Sequence, residues 1–166
     1  MDETAIKILD SHRIMAISTL RPDGWPQTTI VGYANDGLAI YFLIFRSSQK
    51  FANIAQNDRV SIAIGEEPRN LRELEAVYAG AHVSEVTDLK RAQHAWRLLT
   101  NRHPNLSHFE LPEKAETALM CAQCKYLSVL DYSQGLGHTE ALTIGAGDPS
   151  LTRAPRAEGW GSSMIG

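Results

Sequence analysis

The segment with the clearest chemical potential is a short run of hydroxyl, amide and ammonium side chains, Ser47-Ser48-Gln49-Lys50. It lies between a long apolar run and a pattern that predicts a helix. Serine hydroxyls and the free backbone N–H groups of a helix N-terminus donate hydrogen bonds to anions, and a lysine ammonium adds a full positive charge. These groups could converge on a phosphate. A helix with a serine N-cap and a solvated lysine is the alternative that the local sequence leaves open.

The only two cysteines, Cys121 and Cys124, have the spacing C-x-x-C that occurs in zinc sites and thiol redox motifs. A zinc site needs two further ligands at suitable spacing, and a thioredoxin-like motif follows a strand and opens a helix. Here the pair leads into a strand-like run from Lys125 to Leu130. We therefore expect two buried or half-buried thiols.

Histidine is the other residue type that could supply acid–base or metal chemistry. Of the six histidines, His94, His103 and His108 fall on a predicted helix and the loop after it, without a spacing that marks a metal site. The sequence predicts no bound metal. It assigns no catalytic acid or base.

The first half of the chain predicts strands joined by short turns and accompanied by two helices. A polar cap at Asp2-Glu3-Thr4 introduces a short amphipathic helix that ends near Ser11. Arg21-Pro22-Asp23-Gly24 and Asn35-Asp36-Gly37 predict turns, because proline fixes φ and glycine accepts positive φ. The predicted elements that follow the first helix are strands 14–20, 26–34 and 38–45, a helix over 47–57 and a strand over 59–64.

The second half predicts a fifth strand from about Leu74 to Val86, with a bend or bulge at Gly80. A helix over 87–101 ends before Pro104, and a loop or short helical segment leads to a last strand over 125–132. Residues 145–166 are rich in Gly, Ser and Pro without periodicity. We expect one domain over 1–144 and a tail over 145–166 that is mobile or bound to a partner subunit.

These patterns predict a mainly β fold, a six-stranded antiparallel barrel with peripheral helices. With 166 residues, 43% hydrophobic and 21% charged, the chain has the composition of one globular domain. A net charge of −3 without a Lys/Arg cluster argues against nucleic acid as a partner. No apolar run approaches the roughly 20 residues of a membrane span, and the acidic start lacks the features of a secretory signal, so we expect a cytoplasmic protein.

Several of these features, taken in order, resemble the pyridoxamine 5′-phosphate oxidase-like family of FMN-binding split β-barrels. They are the turn and strand from Arg21 to Thr29, the apolar strand that follows, and the pattern Ser48-x-Lys50-x-x-Asn53-Ile54-x-x-Asn57-Asp58-x-Val60. The resemblance covers about 6–64, extends into the fifth strand, and returns over 126–138. It implies a split barrel of Greek-key type, an FMN cofactor, and a homodimer in which each flavin lies between two barrels.

By position, the resemblance implies three segments that contact FMN. The implied contacts are Ser48, Gln49 and Lys50 at the phosphate, Thr28, Thr29, Ile30, Val31, Gly32 and Tyr33 along the flavin and ribityl chain, and Leu43 and Ile44 near the ring. Some family members have arginine at the position of Gln49, and many have arginine at the position of Thr28. Phosphate neutralisation therefore depends mainly on Lys50 in this chain.

The resemblance implies an FMN-dependent oxidoreductase that acts on a small molecule, with flavin carrying the electrons. His82 and His138 are the histidines expected nearest to a flavin edge, and a structural or solvent-facing role is the alternative for each. A true pyridoxamine 5′-phosphate oxidase is disfavoured, because Leu151 to Trp160 offers no convincing match to its basic and aromatic C-terminal residues. A non-catalytic flavin-binding protein with a storage or sensory role, and a haem- or deazaflavin-binding barrel, are the alternatives.

Overall fold

The computed structural model describes residues 2–108, 116–144 and 152–153. Short 3₁₀ turns over 71–73, 104–108 and 132–134 connect its main elements. The α-helices in this part of the chain are α1 (Asp2–Ser11), α2 (Gln49–Gln56) and α3 (Leu89–Arg102). The strands are β1 (Ile14–Leu20), β2 (Pro26–Asp36), β3 (Ala39–Phe45), β4 (Arg59–Gly65), β5 (Glu75–Glu85), β6 (Thr117–Asp131), β7 (Thr139–Thr143) and β8 (Thr152–Arg153).

Six of the strands form a closed antiparallel barrel in the order β3-β2-β1-β4-β5-β6, and β3 pairs with β6 to complete the circle. Strands β1 to β3 are consecutive, and β4 returns to lie beside β1, which is the Greek-key order. β7 lies outside the barrel on β6, and β8 pairs with β7. The predicted fold, a mainly β six-stranded antiparallel barrel with peripheral helices, is confirmed.

The barrel core is formed by alternate residues of each strand, because successive side chains of a strand point to opposite faces. Met15, Ile17, Phe42, Ile62 and Leu127 are all fully buried in this interior. Helix α1 adds its apolar face to the same core. Helix α3 packs on the outside of the barrel, where its Ala95 and Leu99 form a second buried cluster with residues of β2, β3 and β6.

A short helical segment follows α3 over 104–108, as predicted, but strand β6 begins at Thr117, so the predicted start of the last strand at Lys125 is wrong. Residues 117–123 pair with β3 along its whole length, and this tertiary pairing outweighs the weak strand preference of the local sequence. The predicted irregularity at Gly80 is confirmed. The register between β5 and β6 shifts between Gly80 and Ala81, which leaves Lys125 as the extra residue of a bulge.

Both cysteines lie on β6 and are free thiols. Cys121 is buried and Cys124 is half-buried, as expected from the sequence. Burial raises the pKa of the Cys124 thiol to about 12, so it stays protonated at neutral pH. Within the parts of the chain that the structure describes, no group of three His, Cys, Asp or Glu residues is placed to hold a metal ion.

The C-terminal prediction falls mostly outside the described residues. Thr152 and Arg153 pair with β7, and the rest of 145–166 belongs to the part that the structure does not describe. Strand β7 itself was not predicted. None of the described helices is long and apolar enough to cross a membrane.

Candidate functional site

Strands β2 and β3 separate along part of their length. They pair only from Tyr33 to Asp36, with Phe42 to Ala39 opposite. Before Tyr33, β2 continues against β1 alone, and after Phe42, β3 continues against β6 alone. The result is an opening in the barrel wall between residues 28–32 and 43–45, which we call the split.

One edge of the split presents backbone groups without a strand partner. The Tyr33 N–H donates to the Arg13 carbonyl at 3.1 Å, so these two residues form a hydrogen-bonded pair. In an antiparallel ladder, hydrogen-bonded pairs alternate with pairs that are not hydrogen-bonded to each other. Thr28, Ile30 and Gly32 belong to the second kind, so their N–H and C=O groups point away from β1 and toward the split. Among the described strands, none pairs with this edge. It is an open row of hydrogen-bond donors and acceptors.

The side chains of β2 alternate between the outer surface and the barrel interior. Thr28 and Ile30 lie on the outer face, where the Thr28 hydroxyl is 2.6 Å from the Ser18 hydroxyl and Ile30 is 64% exposed. Thr29 and Val31 point inward. The backbone groups of Thr29 and Val31 pair with β1, so neither their backbone nor their side chains face the split.

Two further predicted contact residues are also interior. The Tyr33 hydroxyl donates to the Leu9 carbonyl at 2.7 Å inside the barrel, and burial raises the pKa of this tyrosine. Ile44 belongs to the same interior. Leu43 instead faces outward and packs beside α3, so its side chain borders the split. Direct cofactor contact by these residues stays a prediction.

The N-terminus of α2 lies directly after β3, next to the split. Ser48 is its N-cap: the hydroxyl accepts from the Phe51 N–H at 3.1 Å and donates to the Phe45 carbonyl at 2.7 Å. Gln49 donates to Asn53 at 2.9 Å. The Lys50 ammonium is half-buried and has no acceptor among the residues described, and burial lowers its pKa. Lys50 is therefore a partly desolvated cation that an anion would stabilise.

A buried polar cluster fixes α2 against β1 and β2. The fully buried Asn53 amide donates to the Thr19 hydroxyl at 3.0 Å and to the Gln27 side-chain oxygen at 3.1 Å. The Thr29 hydroxyl, two residues along the same inward face from Gln27, is buried without a hydrogen-bond partner in the described structure. Buried hydrogen bonds hold α2 at this end of the split, and the orphaned Thr29 hydroxyl lies on the interior side of the barrel wall.

A cavity of about 330 Å³ lies at the other end of the split, where β2 and β3 meet. Gly32 and Leu43 line it from the strands, and Arg13 lines it from the segment between α1 and β1. The end of α3 and the turn after it contribute Leu99, Arg102, His103, Pro104, Asn105 and Leu106. His103, Arg102 and Arg13 were not predicted to lie here. Only the packing of α3 over β2 brings them together, and no local spacing signals it.

The two histidines predicted near a flavin edge lie elsewhere in this chain. His82 is on the outer face of β5, with Nδ1 3.0 Å from Asp58, and lines a separate groove of about 420 Å³. His138 is half-buried between β6 and β7, with Nε2 3.5 Å from Glu140. Neither belongs to the split of its own chain.

A six-stranded antiparallel barrel with an opening of this kind defines the split-barrel class of proteins. The family model described as pyridoxamine 5′-phosphate oxidase matches residues 1–129, so the chain belongs to that family. No curated protein matches the chain.

Solved structures are similar in fold. A haem-binding protein from Mycobacterium smegmatis has a TM-score of 0.73 at 17% identity, over 86% of this chain and 57% of its own. A conserved hypothetical protein from Mycobacterium tuberculosis has a TM-score of 0.69 at 18% identity, covering 89% and 93% of the two chains. An FAD-binding protein from Mesorhizobium loti has a TM-score of 0.62 at 21% identity, covering 75% and 90%. The chain therefore spans little more than half of the haem-binding protein.

Proposed function

We propose that this chain binds FMN in the split and works as a flavin-dependent oxidoreductase on a small molecule. The observation that carries the proposal is the open backbone edge of Thr28, Ile30 and Gly32, which runs from the α2 end to the cavity at Gly32. An isoalloxazine ring carries hydrogen-bond donors and acceptors along its edge and is apolar on its faces. Such a ring matches a row of backbone groups flanked by Leu43 and Ile30.

The two ends of the split differ in chemistry, which orients the cofactor in this proposal. The Lys50 ammonium and the N-terminus of α2 suit a phosphate. The ring then lies along β2 between Thr28 and Gly32. These two residues are four steps apart in the strand, a distance of about 13 Å. Ser48 contributes by fixing the helix start, because its hydroxyl is already used by Phe51 and Phe45.

Bound flavin would supply the capacity to accept and return electrons. The residues of this chain would hold the ring by its edge, orient the phosphate through Lys50, and admit a small molecule at the cavity beside Gly32 and Leu43. Arg102 is committed to structure, since its guanidinium donates to the Leu9 carbonyl at 3.1 Å and to Asn35 at 2.6 Å. Arg102 is therefore not available to bind a substrate, and the other groups of the cavity would determine the substrate class.

Haem is the second candidate, because a haem-binding protein is among the similar folds. Haem iron in proteins usually takes an axial histidine, cysteine, methionine or tyrosine. The histidine nearest to the split, His103, has its Nε2 bonded to the Tyr33 carbonyl at 2.9 Å. Its Nδ1 keeps a lone pair, an arrangement that iron-ligating histidines also show, so haem stays the second candidate for the titration below.

A homodimer is part of the same proposal. The outer face of β1 and β2 exposes Ile14 and Ile30, at 56% and 64%, on the side where Thr28 also lies. A symmetric pair of chains would cover this apolar surface and close the split from outside. The partner could then complete each flavin site.

Fluorescence titration of the ligand-free protein with FMN and riboflavin, with a parallel absorbance titration with haem, tests the binding proposal. We expect saturable quenching of FMN at micromolar protein and no saturable haem spectrum. Absence of saturable FMN quenching, or tight haem binding in its place, would contradict it. Turnover of the FMN-loaded protein with NADH or NADPH then separates an oxidoreductase from a flavin store or sensor.

A further inference from the structure

His103 is held at a defined place over β2 by the end of α3. It is the C-cap residue of that helix, its N–H donates to the Leu99 carbonyl, and Pro104 follows it. The neighbouring Arg102 ties the same helix end to α1 and β2 through Leu9 and Asn35. The imidazole therefore sits on a fixed backbone, and it lines the cavity at the head of the split.

The hydrogen bond that His103 makes defines its tautomer. Nε2 is 2.9 Å from the Tyr33 carbonyl oxygen, which can only accept, so Nε2 carries the hydrogen. In the neutral ring, Nδ1 is then an acceptor. Nδ1 has no hydrogen-bond partner within the described part of the chain.

The ring rests on Gly32, which has no side chain to hold it away. A Cβ at that position would lie 3.2 Å from Cε1, 3.4 Å from Nε2 and 3.7 Å from Nδ1 of His103. Cε1 lies between the two nitrogens, and Nε2 is bound to Tyr33, so Nδ1 is directed away from that carbonyl. The backbone groups that Gly32 directs toward the split are therefore next to the imidazole ring.

We propose that His103 contacts the flavin ring, with Nδ1 accepting a hydrogen bond from the imide N–H at N3 of the isoalloxazine. This inference rests on the proposed function, which places the phosphate at Lys50 and the ring toward Gly32. Oxidised isoalloxazine has a single ring N–H, and its two neighbours are carbonyl oxygens. His103 supplies the acceptor for the N–H, and the Gly32 N–H at the edge of the split is a donor for a carbonyl.

Two substitutions separate this role from a structural one. In His103→Gln the amide nitrogen can replace Nε2 as the donor to Tyr33, but nothing replaces the Nδ1 acceptor. In His103→Asn the amide oxygen lies near the Nδ1 position, but the bond to Tyr33 is lost. His94→Gln is the matched control, because His94 lies on the same helix and pairs with Asp36 at 3.0 Å, outside the cavity.

The experiment compares FMN with N3-methyl-FMN, which lacks the imide hydrogen, by fluorescence titration of each variant. We expect the wild type and His94→Gln to bind FMN roughly three- to tenfold more tightly than the methylated compound, the scale of one hydrogen bond. His103→Gln should lose this preference with an unchanged melting temperature. His103→Asn should retain most of the preference and melt at a lower temperature.

A His103→Gln protein that prefers FMN as strongly as the wild type does would overturn the inference and leave the proposed function standing. Equal affinity of the wild type for both compounds would overturn it as well. If the wild type binds neither compound, the proposed function fails and this contact fails with it.

Discussion

Some polar groups around the split already have hydrogen-bond partners within the fold, and others do not. Ser48 and Arg102 use their donors within the fold, the first at the helix start and the second between α1 and β2. The Lys50 ammonium and the His103 Nδ1 have no hydrogen-bond partner in the described residues. These uncommitted groups lie at opposite ends of the split, and ligand contacts are expected from them.

Replacement of Lys50 by alanine tests the phosphate end. We expect FMN to bind about 10- to 150-fold more weakly, because a hydrogen bond to a charged group contributes about 1.5–3 kcal/mol. Riboflavin has no phosphate and should bind the wild type and the Lys50→Ala variant almost equally. Fluorescence titration of both ligands gives the two ratios.

Lys7, which is exposed on α1, provides the matched control. Lys7→Ala should change the affinity for neither ligand. If Lys50→Ala weakens FMN and riboflavin together, or weakens neither, Lys50 is not the phosphate contact.

The sequence could predict those site residues that are neighbours along the chain, but not those that only the fold brings together. Ser48 and Lys50 belong to a strand end and a helix start that are adjacent in sequence, so their pattern is visible without the fold. His103 meets the carbonyl of Tyr33 across 70 residues. That contact depends on where α3 crosses the barrel, and no spacing in the sequence encodes the crossing.

At the scale of elements, the polar cluster around Asn53 determines where α2 sits. Asn53→Leu keeps the branched shape of the side chain but leaves the buried Thr19 hydroxyl and the Gln27 oxygen without their donor. We expect the free energy of unfolding to fall by about 1–3 kcal/mol, the cost of a buried unsatisfied polar group. Urea denaturation measures it.

Gln56→Leu, on the exposed side of the same helix, should stay within about 0.5 kcal/mol of the wild type. Equal stability of Asn53→Leu and Gln56→Leu would show that the buried cluster does not hold the helix in place.

Elements differ in how well their sequences specify them. The predicted bounds of β1 agree with the structure, because its alternating core residues are bounded by a Pro-Asp-Gly turn. The first half of β6 is rich in Ala and Cys and has no such signal; it forms a strand because β3 lies alongside. β7 follows a turn with two positive-φ glycines, Gly135 and Gly137, and was not predicted.

For the whole molecule, the exposed apolar face of β1 and β2 predicts association. Ile14→Glu places a charge on this face without touching the barrel interior, and it should convert the expected dimer to a monomer, because burying an unpaired carboxylate is costly. Light scattering on the purified FMN-loaded protein measures the mass. Leu89→Glu, at a leucine 70% exposed on α3, is the control that should remain dimeric. A wild type that binds FMN as a monomer would contradict the dimer proposal.

A crystal structure of the FMN complex decides whether FMN lies in the split with its phosphate at the α2 end. We predict flavin density between residues 28–32 and 43–45, with the phosphate within hydrogen-bond distance of Lys50 and the ring beneath His103. Flavin bound outside the split, or a phosphate at the His103 end of it, would rule out this binding mode.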